Sequence, residues 1–183
     1  MEHGFSGELQ DALPAAGFMD TVTGLPVHSL FGETRRPTPE MLHALDVLVF
    51  DAQDAGVRFY TYATTMIMAM EAAAEAGLDF IVLDRPNPIG GRLVEGGLLE
   101  PPYRSFLGYL PLPVRHGLTL GELAISADRE FRLDGRLHVV RMDGWTRDTW
   151  YDETGLPWVM PSPNLPTLET AAVYPRSEEH TSE

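Results

Sequence analysis

Charged and amide side chains directly follow two apolar segments of this sequence. Asp51 and Gln53 follow one segment, and Asp84, Arg85 and Asn87 follow the next one along the chain. In parallel α/β sheets the carboxyl ends of the strands meet at one edge, and ligands bind there. Carboxylate, amide and guanidinium groups at such an edge suit a ligand that carries hydroxyl or carboxylate groups. These five residues are therefore candidates for substrate binding.

The segment after Gln53 adds a cation and aromatic rings. Arg58, Tyr60 and Tyr62 lie within it, and tyrosine offers an apolar face on which a sugar ring can lie. Either Arg58 or Arg85 could hold a substrate carboxylate through two parallel hydrogen bonds. The structural alternatives are an ion pair between Arg58 and a nearby aspartate, turn capping by the aspartates, and core packing for part of the aromatic set.

The elements that must position these side chains alternate between strand and helix. Four apolar segments predict buried strands: 26–31, 46–51, 79–84 and 137–142. The second and third are continuous apolar runs bounded by aspartate, which is typical of parallel strands covered on both faces. Three helices are predicted: one from Pro39 to about Leu45, one over residues 63–76, and one from a capping box at Thr119 to about Phe131. The pattern indicates a doubly wound α/β domain.

Residues 85–117 form a long segment that is rich in proline and glycine and lacks clear periodicity. Aromatic residues such as Tyr103, Phe106 and Tyr109 are interleaved with it, so we expect an ordered functional loop rather than a flexible linker. His116 lies near its end.

Composition narrows the function classes. The formal charge is −14, with 27 acidic residues against 13 Lys plus Arg, which disfavours nucleic acid and anionic lipid surfaces as partners. There is no cysteine, which excludes disulfides and thiolate catalysis. No apolar run is long enough for a membrane span, and no nucleotide-binding or GxSxG motif occurs. The histidines show no metal-ligand spacing, so we expect neither a metal nor a cofactor.

Six motifs give the chain a specific resemblance. They are Glu2-His3-Gly4-Phe5, the segment 51–62, Asp84-Arg85-Pro86-Asn87-Pro88, Arg115-His116-Gly117, Gly144-Trp145 and Pro161-Ser162-Pro163-Asn164. In order and spacing they resemble the exo-β-N-acetylmuramidase family, long carried as a domain of unknown function. The resemblance implies a Rossmann-like domain, followed by a smaller C-terminal domain, with the site between them. It also implies release of terminal N-acetylmuramic acid from the non-reducing end of peptidoglycan fragments, in the cell envelope.

The resemblance also implies roles for individual residues. Glu2, in the Glu-His-Gly motif, matches a proposed catalytic glutamate, and Glu71 matches a second one, with Glu75 as the alternative. The substrate-binding residues expected from the motifs are His3, Gln53, Arg58, Tyr60, Tyr62, Asp84, Arg85, Asn87, His116 and Asn164. Two carboxyl groups suit glycoside hydrolysis, although the 2-acetamido group of the substrate could itself be the nucleophile.

The ends of the sequence depart from the family pattern. Met1 stands where the family usually has proline, so we expect the chain to begin inside the α/β domain, without its first strand. Residues 1–117 are predicted to be this domain, and residues 118–175 its remainder and the start of the C-terminal domain. Residues 176–183 resemble a translated sequencing adapter rather than the gene. An inactive fragment, a non-catalytic carbohydrate-binding module and another α/β enzyme remain the alternatives.

Overall fold

Five strands and four α-helices make up the part of the chain that the computed structural model describes, residues 17–177. The strands are β1 (Phe18–Met19), β2 (Pro26–Val27), β3 (Val47–Phe50), β4 (Asp79–Leu83) and β5 (Arg136–Val140). The helices are α1 (Pro39–Leu42), α2 (Thr61–Ala76), α3 (Leu120–Phe131) and α4 (Leu168–Ser177). Two 3₁₀ turns lie at Pro101–Tyr103 and Tyr151–Thr154.

A three-stranded parallel sheet in the order β3-β4-β5 is the centre of the fold. Leu48 lies opposite Phe80, which in turn lies opposite Leu137, and these side chains share one face of the sheet. These three side chains therefore form an apolar row across the sheet, on the face that the helices cover. The predicted Rossmann-like α/β class with a parallel sheet is confirmed for the described residues.

Helices α2 and α3 cover this face of the sheet. Met66 and Met70 on α2 are at most 3% exposed, as the predicted methionine stripe requires, and Leu123 on α3 is fully buried. Helix α2 ends at Gly77, whose backbone is left-handed with φ of 69°. Helix α3 begins at Thr119 with the predicted capping box to Glu122. Local sequence signals therefore define the C-terminal end of α2 and the N-terminal end of α3, the two helices that pack on the sheet.

The opposite face of the sheet is left open by the described residues. Val47 and Val49 on β3 are 39% and 50% exposed, and Val140 on β5 is 54% exposed. The prediction that strand 46–51 is covered on both faces is therefore wrong for the described part of the chain. The physical reason is that α2 and α3 both pack into the same core, so neither one covers these valines.

The predicted buried strand at residues 26–31 is also wrong. Pro26–Val27 instead pairs antiparallel with Phe18–Met19 in a separate two-stranded ribbon. The Asp20 carboxylate explains the reversal, because it accepts hydrogen bonds from the backbone N–H groups of Val22 and Thr23 and closes a tight turn. A local turn thus decides the pairing of this segment.

The segments around the edge of the sheet have a second small core of their own. Ala55, Val57 and Ile89 are at most 1% exposed and pack together with Leu165 and Ala171 from the C-terminal third of the chain. As predicted, residues 85–117 contain no α-helix or strand. They are fixed by isolated backbone pairings, including those of Arg115 with Val57 and Glu95. This second core holds the loops that build the candidate site.

Several predictions fall at or beyond the limits of the described residues. Glu2 and His3 lie outside them, as do residues 178–183. Helix α4 continues through Arg176 to Ser177, into the segment that was predicted to be a tail foreign to the gene. Strand β5 joins the same sheet as β3 and β4, while the division at residue 117 stays a prediction. Among the described residues, no helix is long and apolar enough to cross a membrane.

Candidate active site

A cavity of about 570 Å³ lies at the carboxyl edge of the parallel sheet. Asp51 follows β3, Asp84 and Arg85 follow β4, and Asp143 and Trp145 follow β5, so all three strands contribute side chains to its wall. The remaining lining residues are Leu83, Pro86, Met142, Gly144, Thr149, Glu153, Thr154 and Leu156. The predicted position of the site at this edge therefore coincides with a real concavity, of a size that is usual for small-molecule sites.

Asp84 connects the cavity wall to the start of helix α3. Its Oδ2 accepts a hydrogen bond from Thr119 Oγ1 at 2.9 Å, and its Oδ1 accepts one from the backbone N–H of Gly121 at 2.8 Å. Position 121 must be glycine here, because a Cβ atom would lie 2.8 Å from Asp84 Cγ and 2.6 Å from Val139 Cγ1. The carboxylate thus satisfies one of the free N–H groups at a helix start, where negative charge is also favourable.

Arg85 lies beside Asp51 at the mouth of the cavity. Its Nε and Nη2 both lie 2.6 Å from the same carboxylate oxygen, Asp51 Oδ1. The two side chains are 42% and 45% exposed, so this ion pair is in contact with solvent. The pair fixes a cation at the site, with part of the guanidinium still available.

Trp145 supplies an aromatic wall. It lines both this cavity and a second one of about 330 Å³, and Asp84 and Met142 are shared by the two cavities as well. The indole Nε1 is buried and has no hydrogen-bond partner among the residues that the structure describes. An aromatic ring next to carboxylates is the combination that sugar-binding sites use, since the ring covers the apolar face of the sugar while the carboxylates accept hydrogen bonds from its hydroxyl groups.

Gln53 and Arg58 form hydrogen bonds to the backbone of the loops that border the cavity. Gln53 Nε2 donates to the backbone oxygens of Asp54 and Pro86, both at 2.9 Å. Arg58 Nη1 donates to the backbone oxygens of Gly97 and Leu112, at 2.8 and 2.7 Å, and burial lowers the pKa of its guanidinium. The predicted alternative of an ion pair between Arg58 and an aspartate is absent among the described contacts.

Asn87 and His116 are buried inside the same loop layer. Asn87 is 1% exposed, and its amide donates to Leu118 O at 2.9 Å and accepts from Ile89 N–H at 3.1 Å. His116 Nδ1 accepts from Leu118 N–H at 3.1 Å, which leaves Nε2 to face Asp54 Oδ2 at 3.5 Å. The described contacts of Asn87 and His116 are therefore with the protein itself.

Tyr60 and Tyr62 contact the start of the segment 161–164, which ends at Asn164. Both tyrosine hydroxyls donate to Pro161 O, at 3.0 and 3.2 Å, and the two rings are 4.8 Å apart. Asn164 is exposed, and its backbone N–H donates to Ser162 Oγ at 3.2 Å. The structure thus brings together motifs that are a hundred residues apart in the sequence, at the second core, of which Tyr60 is a buried member, rather than in the wall of the cavity.

Glu71 lies in a different environment. The Tyr109 hydroxyl is 3.1 and 3.2 Å from its two carboxylate oxygens, and Arg104 lies 4.0 Å away. Because α2 connects two parallel strands, it runs back from the carboxyl edge, and Glu71 lies about 15 Å along it from Thr61. Glu71 lines a separate cavity of about 620 Å³ that shares no lining residue with the first.

Comparison with known proteins decides the family. A sequence model described as exo-β-N-acetylmuramidase NamZ, N-terminal, matches residues 1–169. The chain belongs to this family. It is 53% identical over 174 residues to the peptidoglycan β-N-acetylmuramidase NamZ of Bacillus subtilis strain 168, and the match covers 95% of this chain and 42% of that protein.

Two crystal structures of DUF1343 family proteins from Bacteroides fragilis NCTC 9343 are similar in fold. One is 53% identical, with a TM-score of 0.82 over 85% of this chain and 41% of the other. The second is 38% identical, with a TM-score of 0.76 over 86% of this chain and 43% of the other. The chain thus spans about two fifths of the length of the relatives it matches.

Within the exo-β-N-acetylmuramidase domain, the sequence motifs identified part of the cavity wall. Asp51, Asp84 and Arg85 were expected there, and the Gly144-Trp145 motif indicated the loop after β5 without assigning Trp145 a role. Asp143, Thr149 and Glu153 were missed; Asp143 directly follows a predicted strand, and no sequence signal indicated Thr149 or Glu153. The described residues contain no group of three or more His, Asp or Glu side chains that could hold a metal ion.

Proposed function

We propose that this chain is part of a glycoside hydrolase that releases terminal N-acetylmuramic acid from the non-reducing end of peptidoglycan fragments, in cell-wall turnover. The observation that carries the proposal is the match of the exo-β-N-acetylmuramidase family to residues 1–169. The proposal places the protein in the cell envelope, periplasmic or secreted, since its substrate is found there. Muramyl-containing peptidoglycan fragments are its proposed partners.

The cavity at the carboxyl edge of the sheet supports a sugar ligand. Its volume of about 570 Å³ is in the range of small-molecule sites, and Trp145 gives it an aromatic wall. Asp51, Asp143 and Arg85 offer acceptors and donors for hydroxyl, amide and carboxylate groups. A negatively charged wall also suits hydrolysis, because the transition state of glycoside cleavage carries positive charge on the sugar.

Glu2 and Glu71 are the proposed catalytic pair. One carboxyl group would protonate the leaving oxygen, and the other would act as base or nucleophile or would orient the 2-acetamido group of the substrate. Glu2 is in the Glu-His-Gly motif, outside the described residues. Glu71 is chosen on the family resemblance; the Tyr109 hydroxyl holds its carboxylate, which lines the separate cavity of about 620 Å³ and not the cavity at the carboxyl edge. Glu75 is 71% exposed and is paired with Arg36 at 2.5 Å, which makes it the weaker choice for the second carboxylate.

Hydrolysis of a chromogenic β-N-acetylmuramide tests the function. We expect the protein to release the chromophore, and we expect Glu2→Gln to lower kcat by at least a hundredfold, because general acid catalysis contributes about that much. Glu71→Gln should lower kcat similarly, while Glu75→Gln should leave it unchanged. A large loss in Glu75→Gln with none in Glu71→Gln would reverse the assignment of the second carboxylate.

A non-catalytic carbohydrate-binding module is the second candidate. It is favoured by the contacts of Asp84 and Glu153, since both carboxylates in the cavity wall are occupied by backbone N–H groups. The same assay separates the two candidates. Saturable binding of N-acetylmuramic acid without any release of the chromophore supports the binding module and contradicts the hydrolase.

A further inference from the structure

Arg85 is a cation whose guanidinium is only partly engaged by the protein. Its Nε and Nη2 approach one oxygen of Asp51, and the described residues give Nη1 no hydrogen-bond partner. A guanidinium carries five N–H donors, so the edge formed by Nη1 and Nη2 can still bind an anion. The side chain is 42% exposed and lines the cavity, so a ligand can reach that edge.

Three other arginines near the edge of the sheet are more fully engaged than Arg85. Arg58 donates to two backbone oxygens. Arg115 is 7% exposed and binds both Glu95 and the backbone oxygen of Ile89. Arg147 binds Glu122 and the backbone oxygen of Gly117. Arg58 and Arg85 were the two candidates for binding a substrate carboxylate, and of these two Arg85 is the one that lines the cavity.

The charge of the cavity makes this cation decisive. The other charged residues in its wall are Asp51, Asp84, Asp143 and Glu153, all acidic, and Arg85 is the one basic residue that the described lining contains. An anionic ligand would be repelled by this wall unless a guanidinium bound it directly. A neutral sugar would not need that contact.

We propose that Arg85 recognises a carboxylate on the substrate and that Asp51 positions the guanidinium for this contact. The inference rests on the proposed function, in which the carboxylate is the lactyl group that N-acetylmuramic acid carries and N-acetylglucosamine lacks. The contact makes Arg85 a specificity-determining residue, because it selects the muramyl sugar over its uncharged counterpart. The planar guanidinium suits this task, since it can bind a carboxylate through two parallel hydrogen bonds.

Binding of the two free sugars tests the proposal. The dissociation constants of N-acetylmuramic acid and N-acetylglucosamine are measured by calorimetry or by NMR titration of the protein. Arg85→Gln should weaken binding of N-acetylmuramic acid about 10- to 100-fold, the range for a lost hydrogen bond to a charged group, and should change binding of N-acetylglucosamine less than about twofold. The affinity of Arg85→Lys for N-acetylmuramic acid should lie between those of the unmodified protein and Arg85→Gln, because lysine keeps the charge but cannot form two parallel hydrogen bonds.

Two further variants separate recognition from side effects. Arg92→Gln removes an exposed arginine that is paired with Asp148, and it should leave both affinities unchanged despite the same change in net charge. Removing Arg85 alone also frees the Asp51 carboxylate, which would repel an anion. The double variant Asp51→Asn, Arg85→Gln excludes that explanation, because it should remain unselective if Arg85 makes the contact. Recovered preference for N-acetylmuramic acid in the double variant would overturn the proposal.

The outcomes distinguish this inference from the proposed function. If the unmodified protein cleaves the β-muramide and Arg85→Gln keeps the full preference for N-acetylmuramic acid, the function stands and the role of Arg85 is refuted. If the protein binds N-acetylmuramic acid through Arg85 without cleaving the β-muramide, the hydrolase is refuted and Arg85 keeps its role. If Arg85→Gln does not fold, as shown by circular dichroism, Arg85→Lys decides the question by the same comparison.

Discussion

Replacing Asp84 should loosen helix α3 from the sheet, because this carboxylate accepts two hydrogen bonds from the start of the helix. Asp84→Ala leaves the hydroxyl of Thr119 and the N–H of Gly121 without their acceptor, and both residues are buried. Each unsatisfied buried donor costs about 1–3 kcal/mol, so the variant, which leaves two of them, should lose about 2–6 kcal/mol of unfolding free energy. Asp84→Asn keeps one acceptor oxygen and should lose about half as much.

Urea unfolding followed by circular dichroism measures both variants. A loss of this size is a large part of the roughly 5–15 kcal/mol that holds an ordinary domain together. Asp46→Asn is the matched control, since Asp46 is exposed just before β3 and its replacement should change stability by less than about 0.5 kcal/mol. Asp84 variants as stable as the control would show that α3 does not depend on this carboxylate.

Two other predictions concern the helices that cover the sheet. Burial, together with the Glu71 carboxylate, raises the pKa of the Tyr109 phenol above its usual value of 10.0. Because the unfolded chain loses this proton first, the unfolding free energy should fall as the pH rises above about 10. The fall should be less steep in Tyr109→Phe. In Tyr103→Phe, which replaces an exposed tyrosine, it should be as steep as in the unmodified protein. Equal slopes in urea titrations of all three proteins would contradict this. Leu123→Ala should cost about 2–5 kcal/mol, and Val49→Ala, at a half-exposed site, about 0.5 kcal/mol or less; thermal melts that rank them otherwise would refute the core assignment.

Local signals in the sequence were sufficient for the elements whose ends they define. The capping box at Thr119, the glycine at position 77 and the apolar run of β4 correspond to elements in the structure. The ribbon of Pro26 was missed because a short apolar segment does not reveal its partner, and the turn at Asp20 decided it. The open face of β3 was missed because a continuous apolar run shows only that both faces of a strand can be buried. It does not show that other elements cover both faces.

The site was predictable to the level of its loops and not of its side chains. The rule that ligands bind beyond the carboxyl ends of parallel strands located the cavity, and Asp84 and Arg85 lie in its wall. Asn87 is an example of what the rule cannot supply, since a polar residue in such a loop can equally hold the loop together. Only the three-dimensional contacts separate side chains that face a ligand from side chains that face the backbone.

At the open face of the sheet, apolar attraction between molecules is opposed by the repulsion of their negative charges. Val47 and Val49 lie on the same face of β3, which among residues 17–177 is an edge strand, so they present apolar side chains next to backbone groups that no described strand pairs. The formal charge of −14 keeps neighbouring molecules apart, and dissolved salt weakens this repulsion without weakening apolar attraction. The colloidal behaviour of the chain is therefore governed by ionic strength, with dilute buffers favouring dispersed molecules and concentrated ones favouring strand-to-strand association.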